Sequence, residues 1–267
     1  MCELFGMSSR YPAVVGLSLK TFGSHWKIPP RKLDGWGISF SLGKDALLAK
    51  EPFPVKKSPM FHFFENHRCR SSIVISHLRR AGPGLGRTYE NTQPFARELY
   101  GRNFIFAHHG LVKRIFHIKH IKRFKINDGR PLGSTDSEHA FYFLLERLKE
   151  ELGPKGIRNP LEVRKLLNRY AVEITSLGMF NFLMSDSENL YAFRSHKLYF
   201  AQRECMTASR CLVGGPLTVQ LAPAILAKRQ RVVLIATMPL SKHKCWKLLP
   251  CGRVVVFYKG SERTGPN

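Results

Sequence analysis

Cys2 is the residue of this chain whose type and position point most directly to chemistry. If Met1 is removed, one carbon carries both the thiol and a free α-amine, which has a reference pKa of about 7.7–8 and can act as a base. A nucleophile with a base beside it is the arrangement of enzymes that use their own N-terminal residue. A cysteine at this position is more often an ordinary thiol, so it does not establish catalysis by itself.

The net charge is the unusual feature of the composition. The chain has 43 Lys+Arg against 19 Asp+Glu, which gives +24. Such a balance indicates nucleic acid or another acidic partner, although a general basic bias of the proteome would produce the same number. No RNA-binding or zinc-finger signature accompanies the charge.

Six of the basic residues fall between positions 113 and 125. Apolar residues recur in the same stretch at spacings of three and four, which predicts a helix with one apolar stripe and a basic outer face. The basic face has two interpretations, an ordinary solvated surface or a surface that engages an acidic partner. The stripe consists of Leu111, Ile115, Ile118, Ile121 and Phe124.

The six cysteines contain no CxxC pair, which favours reduced thiols over a zinc site, and no metal or other cofactor is expected. No apolar run approaches the ~20 residues that a bilayer span requires. Acidic Glu3 stands where a secretory signal would be basic. The sequence therefore predicts a cytoplasmic protein with no membrane partner, and it leaves the oligomeric state open.

Strands and two helices must position these groups. The chain starts with strand patterns, continues with two helices and returns to strands, which predicts an α+β fold. No linker interrupts it, so we expect one domain over 2–267 that ends in a strand and tail at about 255–267. The predicted elements are strands at 2–7, 36–42, 46–50, 71–80 and 104–110, a helix that starts within 134–138, a helix from about Pro160, and several later short strands.

Further motifs follow Cys2 along the chain. They are DGWGISF (34–40), SHLRRAGPG (76–84), ENTQPF (90–95), FAHHG (106–110), GSTDSE (133–138) and IATMPL (235–240). In order and spacing they resemble the class-II glutamine amidotransferases, the cysteine branch of the N-terminal-nucleophile hydrolases. The resemblance covers nearly the whole chain and looks closest to stand-alone members without a synthetase domain.

The resemblance implies a four-layer αββα sandwich with two stacked antiparallel sheets. It also implies cleavage of the γ-amide of glutamine, or of a γ-glutamyl compound, through a thioester on Cys2. The ammonia would pass to a separate acceptor protein or simply be released. Some relatives cleave γ-glutamyl intermediates of thiol-histidine biosynthesis, so a small-molecule amidohydrolase is a variant of the same reading.

Two charged residues match the substrate-binding positions of the family. Arg79 corresponds to the residue that holds the α-carboxylate, a task suited to a guanidinium fork. Asp136 corresponds to the carboxylate that binds the α-ammonium. From the residues alone, an Arg such as Arg79 at the end of a strand is most often a surface charge, and an Asp such as Asp136 is most often a helix cap.

Four residues match positions around the reacting amide. Gly110 corresponds to the glycine whose backbone N–H donates to the oxyanion. Trp36 and Gly37 correspond to the pocket wall, although a Gly-Trp-Gly strand with a buried aromatic explains them as well. His109 stands where the family has an asparagine that supplies the second oxyanion donor. It either substitutes as a donor or marks an altered site.

Two other positions also depart from the family. Gln93 replaces a histidine, and Arg80-Ala81-Gly82-Pro83 differs from the segment of sugar-amidating members, which argues against that substrate class. The glycine-rich stretch 82–87 lacks the Lys-Ser/Thr of a phosphate loop and is interpreted as a flexible loop over the pocket. The alternative function is a catalytically weakened or inactive member whose basic face, 113–125, binds an acidic partner.

Overall fold

The computed structural model describes residues 2–24, 33–67, 69–80, 86–205, 210–212, 218–221, 229–242 and 244–264. The α-helices are α1 (Gly16–Gly23), α2 (Pro59–Asn66), α3 (Ile118–Ile121), α4 (Asp136–Leu152) and α5 (Pro160–Thr175). The strands are β1 (Glu3–Val14), β2 (Gly35–Leu42), β3 (Asp45–Glu51), β4 (Arg70–Arg79), β5 (Phe95–Leu99), β6 (Arg102–Leu111), β7 (Met179–Ser185), β8 (Leu190–Phe193), β9 (Tyr199–Cys205), β10 (Arg210–Leu212), β11 (Thr218–Leu221), β12 (Gln230–Ala236), β13 (Lys247–Leu248), β14 (Val254–Tyr258) and β15 (Ser261–Glu262).

The strands form two antiparallel sheets. The first runs in the order β13-β9-β12-β1-β4-β2-β3, with β11 paired to the far end of β1 and β10 paired to β11. The second runs β15-β14-β8-β7-β6-β5. The strand that follows Cys2 therefore lies in the interior of the first sheet, with a hydrogen-bonded neighbour on each side.

Alternation along the strands creates three apolar layers. In β6, Phe104 and Phe106 pack with α4 and α5, whereas Ile105 and Ala107 pack against the first sheet. In β1, Phe5 faces the layer of α1 and α2. Because both faces of both sheets are covered, side chains that point to either face of the central strands are buried. The predicted αββα sandwich is confirmed.

Most local predictions are also confirmed. The hairpin of β2 and β3, the strands at 71–80 and 104–110 and both long helices are present. Helix α4 begins where its polar start signal lies, and the Thr135 hydroxyl accepts a hydrogen bond from the Glu138 N–H at 3.2 Å. At the chain end β14 and β15 are described, and 265–267 lie outside the described residues. One domain over 2–267 stays a prediction.

The predicted helix over the basic segment is wrong as a continuous element. A 3-10 turn (Lys113–Phe116) and the single turn of α3 take its place, separated by His117 in an extended conformation. Within the predicted stripe only Ile115 and Phe124 are buried, while Leu111, Ile118 and Ile121 are exposed. The two buried anchors fix a bent path, so the regular spacing does not correspond to one helical face.

Candidate active site

Cys2 lies where β1 begins, at the end of the first sheet. The strand start is fixed by Thr237, which follows β12: the Leu4 N–H donates to its hydroxyl at 3.1 Å, and its own N–H donates to the Leu4 carbonyl at 3.1 Å. The Cys2 sulfur accepts from the Arg80 N–H at 3.2 Å, and its thiol faces the Arg80 carbonyl at 3.5 Å. The end of β4 thus holds the thiol in place.

Burial raises the pKa of the Cys2 thiol above its usual value. The Arg80 N–H and the charge of Arg79 act in the opposite direction but do not outweigh the burial. The thiol is therefore protonated near neutral pH. Nucleophilic attack by this sulfur requires a base to remove its proton.

Arg79 is a buried cation with a full set of local partners. Its Nη1 lies 3.3 Å from Asp34 Oδ1, and only 4% and 9% of these two side chains are exposed. Its Nε donates to the Asn91 carbonyl at 3.1 Å and its Nη2 donates to the Gly86 carbonyl at 2.8 Å. Such a buried pair presents a guanidinium of fixed orientation beside the thiol. The surface-charge reading of Arg79 is wrong.

His109 reaches Cys2 from the second sheet. Its Nδ1 lies 2.5 Å from the Cys2 carbonyl oxygen, which can only accept, so Nδ1 carries the hydrogen. Burial lowers the pKa of His109 to about 4. The ring is therefore neutral at pH 7, and its Nε2 is an acceptor. In this tautomer His109 cannot donate to an oxyanion through Nε2.

Gly110 follows at the end of β6. A Cβ at this position would lie 1.8 Å from the Met179 carbonyl oxygen, so the close approach of β7 requires glycine. This contact explains the residue type. The role of its N–H as an oxyanion donor stays a prediction.

His108 faces the helices instead of Cys2. Its Nε2 lies 3.3 Å from the Met179 carbonyl and its Nδ1 lies 2.8 Å from the Ser137 hydroxyl. Burial lowers its pKa, against the opposing charge of Asp136. The neighbours His108 and His109 therefore occupy opposite faces of β6, as strand alternation requires.

Asp136 is buried at the first residue of α4. Its Oδ2 accepts from the Val112 N–H at 2.7 Å, and Oδ1 lies 3.5 Å from the Ser137 hydroxyl. The cap of the helix is Thr135, so the cap reading of Asp136 is wrong. The carboxylate is positioned next to the end of β6, and its contact with a substrate ammonium stays a prediction.

Asn91 connects the two charged positions and was not identified from the sequence. Its carbonyl accepts from Arg79, and its Oδ1 accepts from the Ser134 N–H at 2.8 Å. It lies within the ENTQPF motif, which gave a signal for the segment but not for this side chain. Asn91 thus links the Arg79 guanidinium to the turn that precedes Asp136.

The rest of the motif is held by residues from distant strands. Lys50 Nζ donates to the Thr92 carbonyl at 2.9 Å, and Gln93 Oε1 accepts from the His108 N–H at 2.6 Å. Burial lowers the pKa of Lys50 to about 8. Gln93, a departure from the family pattern, therefore tethers the motif to β6.

The prediction that Trp36 walls the pocket is wrong. Its ring packs against Phe61 and Phe64 of α2, and its Nε1 donates to Glu51 at 2.9 Å. Gly37 faces the opposite side of β2, where a Cβ would lie 2.2 Å from the Gln93 carbonyl oxygen. Gly37 thus admits the motif segment, and its contact with substrate stays a prediction.

Among the described residues, no three His, Cys, Asp or Glu side chains are grouped as a metal site would require. Among the described residues, Cys2, Cys69 and Cys251 are free thiols. None of the described helices is long and apolar enough to cross a membrane. Residues 81–85, most of the predicted pocket loop, lie outside the described residues.

Comparison with known structures identifies the fold. The chain aligns with a predicted glutamine amidotransferase from Pseudomonas aeruginosa PA01 at a TM-score of 0.68 and 27% identity, covering 99% of this chain and 100% of the other. It also aligns with glutamine phosphoribosylpyrophosphate amidotransferase from B. subtilis at a TM-score of 0.62 and 14% identity, covering 98% of this chain but 48% of the other. The sandwich is that of the N-terminal-nucleophile hydrolases.

Sequence comparison then gives the family. The class-II glutamine amidotransferase family pattern matches residues 1–265. The protein named "Putative glutamine amidotransferase YafJ" of Escherichia coli (strain K12) is 32% identical over 260 residues, covering 97% of this chain and 98% of its own length. The chain belongs to the class-II glutamine amidotransferases.

Proposed function

We propose that the protein hydrolyses the γ-amide of glutamine, or of a γ-glutamyl compound, through a thioester on Cys2. The observation that carries the proposal is the position of the thiol, which is held by the Arg80 backbone beside the buried pair of Arg79 and Asp34. Family membership supports the reaction class.

Each step has a group to perform it. After removal of Met1, the α-amine of Cys2 takes the thiol proton, which the raised pKa of the thiol makes necessary. The sulfur then adds to the amide carbon, ammonia leaves with that proton, and water hydrolyses the thioester to glutamate. Arg79 and Asp136 would hold the two charged ends of the amino-acid backbone. The Gly110 N–H would donate to the oxyanion.

The binding-protein alternative has one observation in its favour. The neutral His109 donates to the Cys2 carbonyl and leaves an acceptor where the family has an amide donor. Loss of one oxyanion donor lowers kcat by about 10²–10³ in other enzymes. A slow hydrolase is therefore the form of this alternative that the site supports.

The test combines mass and turnover. Intact mass shows whether Met1 is absent, and a diazo-oxo-norleucine adduct on Cys2, lost in Cys2→Ala, identifies the nucleophile. Glutamate release from glutamine should accompany the adduct and disappear in the same variant. A processed protein that forms no adduct and releases no glutamate would overturn the proposal.

A further inference from the structure

The segment 111–125 exposes apolar side chains that a folded protein ordinarily covers. Ile118 is 82% exposed, and Leu111, Ile121 and Phe116 are 54%, 49% and 43% exposed. Isolated exposed apolar residues are common, but four within eleven consecutive positions form a patch.

The patch rests on a fixed base. Val112, Ile115 and Phe124 are buried in the core beneath α4 and α5. The Phe124 carbonyl lies 2.7 Å from His139 Nε2, and the Phe116 ring packs edge-on against the same histidine. The exposed side chains are thus displayed by an anchored segment that continues directly from β6.

Cations surround the exposed apolar residues. Positions 111–126 contain six Lys or Arg and no Asp or Glu. Within the part of the chain that the structure describes, Arg123 is the only one of the six with an ion-pair partner, Glu173. The other five are exposed: Lys113, Arg114, Lys119, Lys122 and Lys125.

We propose that the segment 111–125 binds the surface of an anionic lipid bilayer. Exposed aliphatic and aromatic side chains enter the boundary of headgroups and acyl chains, and Lys and Arg pair with anionic headgroups. Surface binding combines these two contributions and needs no spanning run. The sequence-based expectation of no membrane partner rested on the lack of such a run, so it does not bear on this mode.

The composition favours a bilayer over the other acidic partners. Four of the five unpaired cations are lysines, which are depleted at protein–protein interfaces but act well on a diffuse anionic surface. A nucleic acid would gain nothing from the exposed isoleucines, because its bases stack on aromatic rings.

The experiment is vesicle flotation of the full chain. Vesicles of phosphatidylglycerol and phosphatidylcholine should retain the protein, and pure phosphatidylcholine should not. Lys119→Gln with Lys122→Gln should weaken partitioning by about thirtyfold, and Ile118→Ser with Ile121→Ser by at least about tenfold. The matched controls, Lys155→Gln with Lys165→Gln and, separately, Leu47→Ser, alter exposed residues elsewhere and should leave it unchanged.

A second measurement, tryptophan fluorescence, does not require a variant that loses binding. The tryptophan introduced by Ile118→Trp should shift its fluorescence emission to the blue on anionic vesicles, whereas the one introduced by Leu47→Trp should not. No binding, equal loss in the control variants, or binding that survives the isoleucine substitutions would overturn the proposal. Binding to poly-glutamate but not to vesicles would also overturn it and favour an acidic protein. None of these measurements reads glutamine hydrolysis, so the two proposals fail separately.

Discussion

The two sheets bring chemically opposite groups to the candidate site. From the first sheet comes a charged side, in which Arg79 and Asp34 form a buried ion pair. From the second comes a neutral side, in which burial lowers the pKa of His109 to about 4. Cys2 touches both, through the Arg80 backbone on one side and the His109 ring on the other.

This difference matches the two kinds of group in the proposed substrate. The ends of an amino-acid backbone are charged, and a buried guanidinium is suited to a carboxylate. The γ-amide is uncharged until the oxyanion forms, so the neutral side must stabilise it with dipoles and not with a fixed charge. In the proposed reaction Arg79 of the first sheet would bind the carboxylate, whereas the amide would face the neutral side and Asp136, next to the end of β6, would bind the ammonium.

Removing the cation of the charged side should have the largest effect. Arg79→Met removes the cation that pairs with the buried Asp34, which should lower the free energy of unfolding by about 3–5 kcal/mol in urea titrations. Arg79→Gln combined with Asp34→Asn removes both charges and should recover much of that loss. A loss below about 1 kcal/mol for Arg79→Met would mean that the pair behaves like a surface ion pair.

Lowering the pH should reduce the free energy of unfolding through His109, on the neutral side of the site. Because the pKa of His109 is about 4 in the fold against about 6.5 unfolded, the unfolded chain binds the extra proton between these values. The free energy of unfolding should therefore fall by roughly 3 kcal/mol from this residue as the pH drops from 6.5 to 4. His108 acts in the same direction.

The control for this pH dependence is His109→Asn, which cannot take up the proton. Urea titrations at several pH values should show a shallower loss of stability for the variant than for the wild type. Identical pH profiles would contradict a neutral buried His109.

The same substitution should change turnover. Asparagine restores an amide donor beside Gly110, so kcat for glutamate release should rise by about tenfold, below the full value of such a donor because the contact with the Cys2 carbonyl is lost. His109→Leu, which has no donor, should not raise it. A fall in kcat for His109→Asn would instead show that the imidazole is adapted to its place.

The smallest effect is expected for a substitution of Trp36, which belongs to neither the charged nor the neutral side of the site. Trp36→Phe removes the hydrogen bond to Glu51 and should cost about 1 kcal/mol of unfolding free energy. Because the ring faces α2, KM and kcat for glutamine should stay within about twofold of the wild type. A large rise in KM would show that Trp36 contributes to substrate binding after all.

The sequence predicted those parts of the fold that are determined by residues a few positions apart. The polar start of α4 and the alternation of β2, β3 and β6 were readable because capping and burial act over a few residues. The prediction that Trp36 lines the pocket was wrong because of the same alternation. Adjacent residues of a strand face opposite ways, so Trp36 and Gly37 cannot line one pocket.

Contacts between distant segments were not readable. Lys50 and Arg79 hold the ENTQPF motif through the backbone carbonyls of Thr92 and Asn91, and an acceptor of that kind leaves no trace in the sequence. The apolar spacing of 111–125 misled because only two members of the predicted stripe, Ile115 and Phe124, are buried. Periodicity predicts a helix when the whole stripe meets the core, and here most of it faces solvent.

The Gly86 carbonyl accepts a hydrogen bond from Arg79, the residue proposed to bind the substrate carboxylate. Because this carbonyl oxygen already accepts from Arg79 Nη2, an incoming carboxylate that binds at Nη2 must displace it. The measured affinity would then report an exchange of one acceptor for another, and a modest affinity would not imply a poorly formed site.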